Sequence, residues 1–196
     1  FLREGDTITV RIGDRRGGSP GIRIQTFTEP TFEFRVLVDA FATYNYVELP
    51  VQPTIPVVAG PPVLYKAILP TQRRVGQPFA LGFKGEDKWG NPSHLVEGRF
   101  TLHASLPVKG LPAQLEVKAG QLATRIEGLR VDLPGELRIA VRNAAGRPVC
   151  ASNPLRIDES VELQPFWADL HGQSEETIGT NSARDLIVFA RDTAFL

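Results

Sequence analysis

The chain has 196 residues, of which 42% are hydrophobic, and its 22 Lys and Arg residues balance its 22 Asp and Glu residues. This hydrophobic content supports a packed core and excludes a disordered chain, and the lack of a basic excess argues against nucleic acid as a partner. No apolar run approaches the roughly 20 residues of a membrane-spanning helix, so no membrane span is expected. The chain has no Met and begins with Phe1, which indicates a piece of a longer protein.

The N-terminal quarter of the chain has the pattern of β structure. Alternating or β-branched segments predict strands over residues 7–12, 22–27, 31–38 and 44–49. Five prolines then follow between positions 50 and 62, where they exclude a central strand and favour a linker or an extended edge. We therefore expect an N-terminal β unit over residues 1–57.

The middle of the chain has the pattern of a second β unit, over residues 58–160. About seven short strands with turn signals between them are typical of an immunoglobulin-like sandwich. The Cys–Trp–Cys pattern of antibody domains is absent, so packing alone must hold this unit together. The candidate strands are residues 63–69, 78–85, 98–105, 113–118, 122–129, 135–142 and 150–157.

The last section of the chain changes from β to helical periodicity. An apolar run over residues 166–171 predicts a strand, and residues 182–196 have the 3.6-residue period of a helix capped by Asn181 or Ser182. Strand, loop and helix together are the first βα unit of an α/β domain. Because one such unit has nothing to pack against, residues 161–196 are expected to be the start of a truncated domain.

One segment of this last section carries residues suited to chemistry. Side chains two apart on a strand share a face, so Asp169, His171 and Gln173 are expected to lie side by side. An imidazole next to an amide or carboxylate oxygen can bind a divalent metal, and Gly172 lets the backbone turn closely around such a site.

The segment over residues 166–174, Phe-Trp-Ala-Asp-Leu-His-Gly-Gln-Ser, resembles the opening motif of the PHP (polymerase and histidinol phosphatase) superfamily. That motif, Asp-Leu-His-X-His followed by Ser or Thr, ends the first barrel strand. More narrowly, the chain resembles a bacterial family of unknown function that joins an N-terminal β-sandwich-like region to a PHP-like barrel. Residues 13–15 with 18–21, residues 87–92 and residues 152–154 fit that family as well.

The resemblance implies a distorted (β/α) barrel with a multinuclear zinc, manganese or iron site that hydrolyses phosphoesters. His171 would be the first metal ligand, and Gln173 stands where a second His ligand is expected. Glutamine binds late first-row metals more weakly than imidazole does. Asp169 would be the catalytic-site carboxylate that orients His171. The other ligands come from later strands, so the fragment itself is expected to be inactive and metal-free, with the remainder of its own barrel as its partner.

Each of these features also has a purely structural interpretation. His171 could be a strand-end residue bonded to Asp169, Glu175 and Glu176 are expected to be solvated charges, and His94 and His103 are expected at the surface. Cys150, the one cysteine, cannot form an internal disulfide and is expected to be a small, partly buried residue. It is compatible with the cytoplasm and does not exclude the periplasm, so the compartment stays open.

The alternative function is a β-sandwich module that binds a carbohydrate or a protein, or that acts as a scaffold. Two loops are candidates for such binding. Trp89 in residues 87–92 could stack on a small-molecule or carbohydrate ligand, or it could simply cover the end of the sandwich. The loop over residues 15–19 could cradle an anion between two guanidinium groups, although a plain hairpin tip is favoured there.

Overall fold

A computed structural model of the protein describes residues 4–196 and shows a mainly β chain. The chain divides into two compact units, residues 1–58 and residues 59–196. Within the described residues, no helix combines the length and the apolar character needed to cross a membrane.

Over residues 4–58, the first unit contains two separate two-stranded ribbons and one short 3₁₀ turn at Arg16–Gly18. Strand β1 (Glu29–Glu33) pairs with β4 (Thr54–Val57), and β2 (Leu37–Val38) pairs with β3 (Val47–Glu48), both antiparallel. The single strand predicted over 31–38 is therefore two strands that belong to different ribbons. Part of the proline-rich stretch predicted as a linker or extended edge is β4 itself, which has one partner strand and so tolerates Pro56.

The strands predicted over residues 7–12 and 22–27 are wrong, since both segments are irregular. Their alternation is real, but neither segment has a ladder partner among the described residues of the unit. No side chain among residues 4–58 is fully buried, and Ile8, Val10, Phe41 and Tyr44 are largely exposed. Two-stranded ribbons have too little surface to enclose a core of their own.

The second unit holds ten strands in three sheets. They are β5 (Leu64–Ile68), β6 (Gln72–Arg74), β7 (Phe79–Glu86), β8 (Gly98–Ala104), β9 (Gln114–Val117), β10 (Thr124–Leu129), β11 (Gly135–Leu137), β12 (Ile139–Asn143), β13 (Pro148–Ala151) and β14 (Leu155–Asp158). One antiparallel sheet has the order β10-β7-β5 and a second has the order β13-β12-β8-β9. A third has the order β11-β14-β6, in which β14 and β6 run parallel.

Each of the seven strands predicted for this unit coincides with an observed strand, but two of them are divided. Residues 135–142 hold β11 and β12, which lie in different sheets, and residues 150–157 hold parts of β13 and β14. Strand β6 was not predicted, because its sequence Gln-Arg-Arg carries no apolar residue.

One hydrophobic core takes side chains from all three sheets of this unit. Within it, the rings of Phe83 on β7 and Phe100 on β8 lie 4.9 Å apart between centroids, and the partly buried Tyr65 stacks on Phe83. Strand β9 alternates exposed and buried residues, as expected of a strand with one face on the core and one in solvent. The fully buried aliphatic residues are Leu81, Leu129, Val131, Leu137, Ile139, Val141 and Leu155.

The C-terminal section lacks the strand predicted over residues 166–171, since no strand occurs between β14 and the helix. That segment has no neighbouring strand to pair with, and an apolar run without a ladder partner does not form a strand. The predicted helix is present but shorter. Helix α1 (Ala183–Phe189) has Ser182 as its N-cap, and a π-helical stretch, Ala190–Ala194, continues it.

Candidate functional site

The three residues singled out by sequence lie together in an irregular, exposed segment. Asp169 Oδ1 accepts a hydrogen bond from the backbone N–H of His171 at 2.9 Å. The Nε2 atoms of His171 and Gln173 lie 3.3 Å apart, so the Gln173 amide donates to the ring when the imidazole carries its proton on Nδ1. The structure thus brings the side chains of His171 and Gln173 into contact, while the Asp169 side chain binds the backbone N–H of His171.

The donor set at this segment does not amount to a metal site. Zinc sites use three or four protein ligands, and the segment brings together one imidazole and one amide, while the Asp169 carboxylate accepts a backbone hydrogen bond. Among residues 4–196, no group of three or more His, Cys, Asp and Glu side chains is placed to hold a metal ion. The residues present therefore do not fit a multinuclear centre on their own, and no catalytic step follows from them alone.

Two glycines let the backbone of the segment pack closely. A Cβ on Gly172 would lie 2.8 Å from Leu186 Cδ2 on helix α1. A Cβ on Gly179 would lie 2.6 Å from the backbone carbonyl oxygen of Gln173. At Gly172 the close atom is the end of a flexible side chain that can move aside, whereas at Gly179 it is backbone, so Gly179 is the glycine that the fold of the turn requires.

The connection from Gln173 to helix α1 is a compact turn organised by Ser174. Ser174 is buried, and its carbonyl oxygen accepts hydrogen bonds from the N–H groups of Thr177 at 2.9 Å and Gly179 at 2.8 Å. Glu175 N–H donates to the Asn181 carbonyl at 2.8 Å, which closes the turn. The turn thereby places the start of the helix directly after the candidate site.

Glu175 and Glu176 are both exposed, as expected of solvated charges, and Glu176 is in addition part of the helix cap. Its carboxylate accepts a hydrogen bond from the N–H of Ala183 at 3.2 Å. The hydrogen bond from the Ser174 side chain is the largest of the causes that lower the pKa of Glu176. Ser182 Oγ accepts from Asp185 N–H at 3.2 Å and completes the N-cap. Serine followed three residues later by an acid is the sequence signal for this cap.

The Trp89 loop is built around a buried carboxylate. Asp87 Oδ1 accepts hydrogen bonds from the N–H groups of Trp89 at 2.8 Å and Asn91 at 3.0 Å, and Oδ2 accepts from Gly60 N–H at 3.1 Å. Burial raises the pKa of Asp87, but the hydrogen bonds from Asn91, Gly60 and Trp89 outweigh it and hold the pKa at about 2. Trp89 itself is 49% exposed, with the Lys88 ammonium 5.0 Å from the centre of its ring.

Next to this loop, strand β7 carries a buried ion-pair cluster that sequence reasoning missed. Glu86 pairs with Lys66 at 2.7 Å and with Lys84 at 3.1 Å, and Lys84 and Glu86 are both buried. Burial raises the pKa of Glu86, yet the hydrogen bonds from the two ammonium groups outweigh it and lower the pKa. The buried Lys84 and Glu86 are paired with each other, and the second cation, Lys66, is about half exposed, which explains how a Lys and a Glu stay buried.

The remaining candidates lie apart from these two loops. In the loop over residues 15–19, the guanidinium of Arg16 is already bound by the Asp14 carboxylate, so it is not available as one of two arms around an anion. His103 is exposed on β8, and His94 is half-buried with its carbonyl accepting from Gly120 N–H at 2.7 Å. The sequence matches no protein-family model, and no curated protein is significantly similar to it.

Proposed function

We propose that the chain is the N-terminal portion of a PHP-like metal-dependent hydrolase that acts on phosphoesters. The observation that carries the proposal is the segment over residues 166–174, whose His171 and Gln173 side chains are in contact and exposed, directly before a capped helix. In such a protein His171 is a metal ligand for zinc, manganese or iron, and further ligands come from sequence beyond this chain. The fragment alone is inactive, because two donors do not form a closed site.

The proposal includes a finer description of the fold. Residues 58–160 form an immunoglobulin-like sandwich, and residues 161–196 are the first strand and helix of the barrel. The sheet orders β10-β7-β5 and β13-β12-β8-β9, with one core shared between them, support the sandwich. In the intact barrel, residues 166–171 gain neighbouring strands and become the first barrel strand.

The test uses the chain produced together with the sequence that follows it in its gene. Elemental analysis measures bound metal, and a generic phosphoester measures hydrolysis. His171→Ala is expected to lose both metal and hydrolysis, whereas His103→Ala, an exposed histidine outside the segment, retains both. A longer protein that is metal-free, inactive and unaffected by His171→Ala would overturn the proposal.

A second candidate function is a carbohydrate-binding module, favoured by the Trp89 loop. Asp87 holds this loop in one conformation and leaves about half of the Trp89 side chain accessible for stacking on a sugar ring. Glycan-array binding by the chain that is lost in Trp89→Ala and retained in Trp167→Phe would support it. Absence of glycan binding would leave this unit a scaffold role.

A further inference from the structure

The C-terminal helical stretch is seated on strand β7. Gly82 lies on β7, and a Cβ at this position would come within 2.5 Å of the Phe195 ring. The ring therefore lies directly on the strand backbone, in a space that only a glycine leaves open. Thr193, two residues earlier in the chain, is buried, and Arg125 Nη1 on β10 donates to the Arg191 carbonyl at 3.4 Å.

The backbone of residues 190–196 is shaped to make this contact. Phe195 has a left-handed backbone with φ 63° and ψ 40°, and Leu196 N–H donates to the Ala190 carbonyl at 3.0 Å. A left-handed non-glycine residue costs about 1 kcal/mol or more, so the packing of its ring must offset that cost. The hydrogen bond ends the helical stretch at the residue whose ring covers Gly82.

A second attachment lies before the His171 segment. Trp167 Nε1 donates to Thr71 Oγ1 at 2.6 Å, and Gln77 Nε2 donates to Gln164 Oε1 at 3.0 Å. Thr71 and Gln77 flank strand β6, in a different sheet from Gly82. The candidate site therefore lies between one attachment at β6 and another at β7.

We infer that residues 164–196 form a strap, fixed to the second unit at these two anchors, which positions the His171 segment. Phe195 with Gly82 and Trp167 with Thr71 are the positioning residues. The importance given to His171 rests on the proposed function, whereas the docking of the strap is independent of it.

Helix α1 needs this docking to stay formed. It has seven residues, and isolated helices shorter than about 12–15 residues are marginal in water. None of its side chains is fully buried, and its apolar residues Leu186, Ile187, Val188 and Phe189 are 36%, 65%, 38% and 44% exposed, so the burial of its own face stabilises it only in part. Order in α1 therefore reports whether the Phe195 anchor is engaged.

Hydrogen–deuterium exchange on the full chain, without metal or substrate, tests the strap. Phe195→Ala is expected to speed amide exchange in residues 187–190 by roughly tenfold, and exchange in the turn over 174–179 rises with it. Gly82→Val is expected to have the same effect by filling the seat of the ring. Ile187→Ala, which truncates an exposed side chain on the same helix, leaves exchange in the turn unchanged.

The second anchor is tested with Thr71→Val, which removes the acceptor of the Trp167 N–H. Exchange over residues 166–174 is expected to rise, and the rise extends into α1 if the two anchors act through one strap. Unchanged exchange in the turn in Phe195→Ala would overturn the inference. That result would leave the metal and hydrolysis tests of the proposed function untouched. If Gly82→Val fails to fold, Phe195→Ala alone decides.

Discussion

The carboxylate of Asp87 accepts a hydrogen bond from the backbone N–H of Gly60 at 3.1 Å, joining residues 27 positions apart. Gly60 lies near the start of the second unit, and its carbonyl oxygen accepts from Ser93 Oγ at 2.7 Å. The backbone N–H and C=O of Gly60 thus both hydrogen-bond to side chains of the segment that carries Trp89, and they connect that segment to the beginning of the unit. Asp87 and Ser93 are buried, so these hydrogen bonds are shielded from solvent.

Asp87→Asn is expected to destabilise the second unit by about 2 kcal/mol, because an amide nitrogen would face the N–H donors that the carboxylate now accepts. The folded pKa of about 2 lies below the ordinary 3.8. The stabilisation from ionised Asp87 is therefore present above about pH 4 and is lost as the pH falls towards 2. Urea unfolding followed by tryptophan fluorescence measures this, since Trp89 and Trp167 both lie in the second unit.

Asp132→Asn is the matched control, because Asp132 is half-exposed and pairs with Lys109 at the surface. Its effect is expected to be below about 0.5 kcal/mol. Equal unfolding midpoints for the Asp87 and Asp132 variants at pH 7 would contradict the role given to Asp87.

Glu86→Gln is expected to cost about 3 kcal/mol of unfolding free energy, because it leaves the buried Lys84 ammonium without its anion. Glu136→Gln breaks an exposed pair with Arg138 and is expected to change little. The two variants are compared by chemical denaturation at neutral pH. If the Glu86 variant is as stable as the Glu136 variant, the buried ammonium of Lys84 does not depend on the Glu86 carboxylate, and the prediction is wrong.

Strand periodicity predicts most of the second unit but not where its strands change sheet. Residues 135–142 form one continuous pattern, yet Arg138 separates β11 from β12. Its N–H donates to Ser105 Oγ at 2.9 Å, and the next N–H, of Ile139, donates to Ser152 Oγ at 2.9 Å. The backbone N–H groups at this change of sheet therefore bond to serine side chains more than ten residues away in sequence. The alternation of apolar and polar residues within 135–142 carries no information about these distant partners.

At the candidate site, spacing correctly brings His171 and Gln173 together but does not predict their surroundings. An i, i+2 pair stays on one side of any extended backbone, so the contact does not require a strand. The turn bonds of Ser174 and the capping role of Glu176 depend on how the chain folds back to Ala183. The close approach of Gly179 to Gln173 likewise arises from tertiary structure.

Cys150 is expected to react slowly with thiol reagents in the folded protein. Burial raises the pKa of its thiol to about 11, against an ordinary 9.0, so almost none of it is thiolate at pH 8. Labelling with iodoacetamide followed by mass spectrometry measures the rate, which is expected to be at least about tenfold faster in guanidinium than in native buffer. Similar rates in the two conditions would show that the thiol is not protected.

Gly179→Ala is expected to disrupt the turn that joins the candidate site to helix α1. Its new Cβ would lie 2.6 Å from the Gln173 carbonyl oxygen and 2.8 Å from Ser174 Cα, and backbone atoms cannot move aside as a flexible side chain does. The N–H of Gly179 would then lose its hydrogen bond to the Ser174 carbonyl, and the Glu175 to Asn181 bond that closes the turn would weaken with it. NMR measures the result through amide exchange at positions 175 and 179 and through the imidazole shifts of His171.

Thr180→Ala, at an exposed neighbour of Gly179, is the control for a side-chain change in the same turn. We expect the Gly179 variant to shift the His171 resonances while the core of the second unit keeps its stability, because the backbone atoms that the new Cβ meets belong to Gln173 and Ser174, which lie outside the core. Unshifted His171 resonances would show that the turn does not determine the conformation of the site.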